Sequence, residues 1–239
     1  MLDLTRLHCP QYDKKEAKIL RTSNNENFVS VRSYRSKNVI NLPKKISADL
    51  AYLIGVILGD GYIGPPLKRK RGGYYCCIRI TCKIEYAKIL SKIIYDVFGY
   101  QPKLVFYRKK PQVCDVAINS IAIYRFITRV ISIPYGAKAG KMPLVRAVCE
   151  SQELYRNFLA GLIDTDGYVC KTYAALVQKD RKFLEDVKLY SKQLLDINFV
   201  GPTSNRRIDG KVVGWWIRIN KSRLNEFIGS IPLRYKMPP

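Results

Sequence analysis

Asp60 and Asp166 are the residues best placed to do chemistry. Each belongs to an Asp-Gly pair behind an apolar run, LAYLIGVILGDGYI over 50–63 and NFLAGLIDTDGYV over 157–169. Small residues recur four apart in both runs: Gly55 and Gly59, then Gly161 and Thr165. Four apart is one helical face. Glycine inside a helix costs about 1 kcal/mol, which is explained if two helices approach closely and bring Asp60 and Asp166 side by side. A carboxylate in the last helical turn is opposed by the macrodipole by about 0.3–1 kcal/mol, and two facing carboxylates repel further. A hard divalent cation, Mg2+ or Mn2+, resolves the conflict because it takes carboxylate and carbonyl oxygens. The carbonyls of Gly59 and Thr165 are natural extra ligands, and Gly61 and Gly167 are expected as left-handed helix caps. The plainer reading is two ordinary Asp-Gly turns. It leaves unexplained why both follow matching apolar helices.

These residues need a scaffold, and the chain repeats it. Asp60 aligns with Asp166, ITCKIEYAKIL (80–90) with LVQKDRKFLED (176–186), and RFITRVISIP (125–134) with EFIGSIP (226–232), which places Lys83 on Lys179. Each copy reads as a motif helix, two strands, a helix (about 84–97 and 180–195), two strands and a helix (about 120–131 and 221–229). The expected fold class is α+β, with two pseudo-symmetric αββαββα halves. Residues 1–47 form a basic extension, 48–133 the first half, 134–151 a linker and 152–239 the second half. In YYCCIRITC, alternation puts Tyr75, Cys77, Arg79 and Thr81 on one face. In WWIRIN it separates Trp216, Arg218 and Asn220 from Trp215, Ile217 and Ile219.

Composition narrows the partner. The 239 residues carry 42 Lys plus Arg against 19 Asp plus Glu, a net charge of +23. That excess calls for a polyanion, nucleic acid before an anionic membrane. No apolar run approaches the roughly 20 residues of a spanning helix, and no signal peptide is evident. Seven cysteines without a secretory signal favour reduced thiols in a cytoplasmic setting, nucleoid-associated if the source is prokaryotic. With one histidine and no C-x-x-C pair, a zinc site of the usual spacing is not expected. GAKAGKM at Gly136 lacks the spacing and the Ser/Thr of a P-loop.

LAGLIDTDG, residues 159–167, differs at one position from the motif that names the LAGLIDADG homing endonucleases. LIGVILGDG, residues 53–61, is more divergent but keeps the small residues and the final Asp-Gly. Over residues 48–235 the chain resembles a single-chain, two-motif member, similar to archaeal intron-encoded enzymes. The resemblance implies two halves joined through their motif helices, each laying a curved antiparallel sheet in the DNA major groove. It implies metal ligation by Asp60 and Asp166, a long asymmetric double-stranded target, and products with 5′-phosphates, 3′-hydroxyls and 3′-overhangs. No obligate protein partner is expected. The sixth motif position is Leu58 in one copy and Asp164 in the other, and Asp164 is expected to serve local polar structure.

The resemblance also places lysines beside the cleavage site, often after a glutamine. Lys179 follows Gln178, whereas Lys83 follows Cys82. Either lysine can polarise water, balance phosphate charge or simply be exposed. DNA contacts are expected from Tyr75, Arg79, Thr81, Lys103, Tyr107, Lys109, Asp115 and Asn119, and from Lys171, Tyr173, Arg206, Arg207, Lys211, Trp216 and Arg218, as base readers or phosphate contacts. The run Lys68, Arg69, Lys70, Arg71 reads as a phosphate-binding hairpin loop or a solvated one. Two alternatives stand beside the endonuclease: a maturase acting on intron RNA, and a non-cleaving DNA-binding regulator. The chain ends, Met1-Leu2 and Met237-Pro238-Pro239, lack intein splicing elements and favour a free-standing product.

Overall fold

A computed structural model describes residues 1–7, 19–33, 36–68, 74–137, 140–206 and 209–236. Arg69, Lys70, Arg71 and Arg207 lie outside the described residues. The chain divides into two compact units, one of residues 1–46 and 61–136, the other of 47–60 and 137–239.

In the first unit, the basic extension builds a three-stranded antiparallel sheet of β1 (Ile19–Asn24), β2 (Phe28–Ser33) and β3 (Ile40–Pro43). Ile19, Val29, Val31, Ile40 and Leu42 are its buried apolar side chains.

The helix α1 (Ala48–Leu58) belongs to the second unit. Ser47 caps it by accepting from the Leu50 amide. The first unit resumes with β4 (Gly61–Ile63), a short hairpin of β5 (Leu67–Lys68) and β6 (Tyr74–Tyr75), β7 (Ile78–Lys83), α2 (Ile84–Phe98), β8 (Lys103–Tyr107), β9 (Lys110–Ile118) and α3 (Ile121–Arg125). Beyond α3 the helix widens into a π turn over Phe126–Val130. The sheet order is β4-β7-β9-β8, antiparallel throughout. Ile78, Ile80, Val116 and Ile118 face the core, while Tyr62, Arg79, Thr81 and Lys103 face out. Cys77 was expected on that outer face but is buried with Cys76. Pairing breaks between β6 and β7, so the alternation of the two strands is not continuous.

The second unit repeats the order: α4 (Gln152–Asp166), β10 (Gly167–Val169), β11 (Tyr173–Gln178), α5 (Arg181–Leu195), β12 (Val200–Arg206), β13 (Val212–Asn220) and α6 (Lys221–Ser230). Its sheet order, β10-β11-β13-β12, matches that of the first unit strand for strand. Both copies are therefore αββαββα, the α+β class expected from the repeat.

The core of this unit is the packing of α1 on α4. Leu50 to Leu58 are buried without a break. A Cβ on Gly55 would lie 2.2 Å from the Phe158 carbonyl oxygen, and one on Gly161 2.1 Å from that of Tyr52. No side chain fits at either position, so the helix backbones touch.

Gly61 and Gly167 are not left-handed caps. Gly61 opens β4 as an extended residue, and Gly167 has φ −87° and ψ 167°. The chain runs straight from each motif into the first strand of its sheet. Gly167 is required for space instead: a Cβ there would lie 2.5 Å from the Ile163 carbonyl oxygen.

Candidate metal centre and nucleic-acid interface

The centre grows from the ends of α1 and α4. Asp60 follows the α1 cap Gly59, and Asp166 is the last residue of α4. Asp166 reaches across to the other helix: its Oδ2 lies 3.1 Å from where a Gly59 Cβ would stand, and Thr165 Oγ1 only 2.0 Å. Small residues at the two helix ends thus bring the Asp166 carboxylate against the turn that carries Asp60. Thr165 turns its hydroxyl back onto its own helix, donating to Gly161 O at 2.9 Å.

Strand parity supplies the next residue. Leu176 and Gln178 lie on the helix-facing side of β11, so Gln178 points at the end of α4 and its side-chain amide donates to Asp166 Oδ2. Lys179 is exposed and lines one cleft with Gly59, Met142, Asp166, Val177 and Gln178. Asp180, not Lys179, caps α5, accepting from the Phe183 amide at 3.2 Å. Lys83 stands differently. It ends β7 and is itself the N-cap residue of α2, with no side-chain capping bond, and it belongs to the first unit.

A lysine absent from the sequence-based expectations sits at the centre. Lys236 Nζ donates to the Thr165 carbonyl oxygen and, at 2.6 Å, to that of Gly167. The Thr165 carbonyl, expected as a metal ligand, is therefore engaged by an ammonium. Burial holds this lysine below its usual range, against the pull of Asp60, Asp166 and Asp164.

The donor set suits a hard cation such as Mg2+ or Mn2+, since each motif helix ends in an aspartate and the Asp166 carboxylate lies against the turn that carries Asp60. Among the described residues, no group of three or more His, Cys, Asp and Glu could hold a metal. Any ion here must complete its shell with backbone, water or substrate oxygens.

The outer face of each sheet carries the expected polar residues. In the first, Arg79, Thr81, Lys103, Lys109 and Asn119 are exposed, and Arg79 donates to the Tyr75 hydroxyl at 3.3 Å. Asp115 differs from its expected role as a DNA contact. It is only 4% exposed and accepts from Thr81 Oγ1 at 2.6 Å. Its hydrogen bond with Tyr107 is the main reason the Tyr107 hydroxyl titrates above the usual tyrosine range. Asp115 thus orients Thr81 and Tyr107 from beneath.

In the second sheet, Lys171, Tyr173, Arg206, Lys211 and Arg218 are exposed and Trp216 is half-buried. The Arg218 guanidinium lies 5.2 Å from the Trp216 ring centroid, a stacked cation that presents its donors in a fixed plane. Lys68 lies in the β5–β6 hairpin.

Sequence reasoning missed two aromatic residues. Tyr62 and Tyr168, each directly after the motif Asp-Gly, are 52% and 54% exposed at matching positions of β4 and β10. The repeated Asp-Gly-Tyr was the signal that could have found them. Among the described residues, no helix is long and apolar enough to cross a membrane.

Residues 153–231 match the family model of the LAGLIDADG-like domain. An uncharacterised protein of Methanocaldococcus jannaschii is 27% identical over 166 residues, 67% of this chain and 54% of that protein. The chain therefore spans about half the length of the curated relative it matches. The homing endonuclease I-DmoI, solved in complex with DNA and Mn, superimposes with a TM-score of 0.57 at 18% identity, covering 79% of this chain and 98% of that one. The same enzyme with DNA and Ca gives a TM-score of 0.55 at 18% identity, covering 80% and 92%. At such identity the likeness is one of fold.

Proposed function

We propose that this chain is a member of the LAGLIDADG family in its single-chain, two-motif form, a homing endonuclease that cuts both strands of DNA at a long, asymmetric site. The observation that carries this reading is the Asp166 carboxylate set against Gly59, the residue before Asp60, at the ends of two helices whose backbones touch. A protein that only bound DNA would gain nothing from a carboxylate at the end of each motif helix.

The reaction is phosphodiester hydrolysis. Asp60 and Asp166 hold divalent metal. When bound, that metal lowers the pKa of a water and stabilises charge on the leaving oxygen. Gln178 fixes the Asp166 carboxylate by its hydrogen bond. Lys179, in the same cleft, balances phosphate charge or polarises the attacking water. Lys83 does so for the other strand. Arg79, Lys103 and Tyr62 on one sheet with Tyr75 of the adjoining hairpin, and Trp216, Arg218, Tyr173 and Tyr168 on the other sheet, face the grooves and phosphates. The two faces differ in sequence, so the site they read is asymmetric. I-DmoI, solved with DNA and with Mn or Ca, supports both the partner and the class of cofactor.

The test is direct. The protein is incubated with a library of long random duplexes and Mg2+, and cut ends are sequenced. A single asymmetric site bearing 3′-overhangs is expected. Tight, specific binding without cutting in Mg2+ or Mn2+ would make the chain a binder instead.

A further inference from the structure

The sixth motif position differs between the copies, and the structure gives the difference a purpose. Leu58 is a buried core residue, whereas Asp164 is a carboxylate only 2% exposed. A buried carboxylate persists only when hydrogen-bonded. Asp164 accepts from the Tyr52 hydroxyl at 2.8 Å and from three successive backbone amides: Arg234 at 2.7 Å, Tyr235 at 3.2 Å and Lys236 at 2.7 Å. Consecutive N–H groups converging on one anion make a nest. Here the anion belongs to the protein, and what it fixes is the backbone of residues 234–236.

Arg234 fastens the same segment from its side chain. It donates to Asp49 Oδ1 at 2.7 Å and to Asn157 Oδ1 at 3.2 Å, and its guanidinium lies 4.3 Å from the Tyr52 ring centroid. Both motif helices thus grip the strap, Asp49 and Tyr52 from α1, Asn157 and Asp164 from α4. The residue this aims is Lys236, whose ammonium sits on the Thr165 and Gly167 carbonyls that flank Asp166. A cation at the carbonyl end of a helix is favoured by the dipole.

We propose that Lys236 is a counter-ion which the chain supplies to its own motif carboxylates, a positioning residue that competes with divalent metal at the Asp166 end. It lets Asp60 and Asp166 lie together in the metal-free protein. It holds the Thr165 carbonyl until a metal arrives, and a cation entering the centre must displace or tolerate it. Leu58 offers no carboxylate to hold a second strap at the first motif, so the two ends of the centre bind metal unequally. This inference rests on the reading that Asp60 and Asp166 bind divalent cations.

The test uses the full chain without DNA. Mn2+ binding is measured by electron paramagnetic resonance for wild type, Lys236→Met, Lys236→Arg and Asp164→Asn, with melting curves in EDTA and in Mg2+. Removing a unit charge beside the metal should tighten Mn2+ binding by about tenfold in Lys236→Met. Lys236→Arg should stay close to wild type, and Asp164→Asn should shift affinity in the same direction as Lys236→Met. Lys236→Met should melt lower in EDTA and recover in Mg2+, and Lys236→Gln replaces it if the methionine variant does not fold. A lysine that merely supported the fold would lower stability equally in both buffers and leave Mn2+ affinity unchanged, which would overturn the proposal alone. Failure of both wild type and Lys236→Met to bind Mn2+ would remove the metal reading and this inference with it.

Discussion

Gln178 donates its side-chain amide to Asp166, and the residue at the matching place in the other copy, beside Lys83, is Cys82. A thiol is a weak hydrogen-bonding group. The two strands should therefore be cut at different rates, with a nicked intermediate appearing early. Lys179→Met should slow cutting more than Lys83→Met. Single-turnover assays with each strand labelled separately decide this. Equal strand rates with equal effects of both substitutions would leave the Gln/Cys difference without catalytic consequence.

Asp60→Asn and Asp166→Asn each remove the charge of a proposed metal ligand while keeping its shape. Each should abolish double-strand cleavage and leave specific binding within about threefold, since binding is carried by phosphate and base contacts elsewhere. Gel-shift and cleavage assays on one labelled target make the comparison. A fully active single mutant would remove that aspartate from the mechanism.

Binding should weaken steeply with salt. Contacts to about 6–10 phosphates predict a loss of about 10³–10⁵ in affinity between 50 and 200 mM. A flat response in fluorescence anisotropy would make the charge of +23 a matter of solubility rather than DNA binding.

Gly161→Ala should destabilise the protein by about 3 kcal/mol, since its methyl would meet the Tyr52 carbonyl oxygen and force the helices apart. Gly229→Ala is the control. Nothing lies within 4 Å of a Cβ there, and the residue is inside α6. That change should be neutral or stabilise by up to about 1 kcal/mol. Urea melts of the two variants separate packing from propensity.

Much of this architecture was legible because it is periodic. Helices expected at 84–97, 180–195 and 221–229 are found at 84–98, 181–195 and 221–230. The small residues four apart announced the helix contact. Features that depend on distant partners were not legible. Lys236 has no pattern around it, and its carbonyl partners lie 71 and 69 residues away. Asp115 alternates correctly for the outer face, yet neighbouring side chains close over it. The left-handed caps failed because a glycine can be demanded by a close carbonyl as well as by φ. Charge masked the β1–β3 sheet, whose strands are four to six residues long within a segment that reads as a basic tail.

The helix α1 is read with the first copy but is seated in the second unit, and the chain passes between units at 46–47, at Asp60–Gly61 and again at 136–137. A chimera built by cutting only in the linker would therefore transplant a greasy helix away from its socket. The N-terminal fragment would carry a buried stripe with nothing to cover it, and the C-terminal fragment an empty groove lined by Phe158 and Gly161. Halves of two such proteins would recombine well only if α1 and α4 were exchanged as a matched pair.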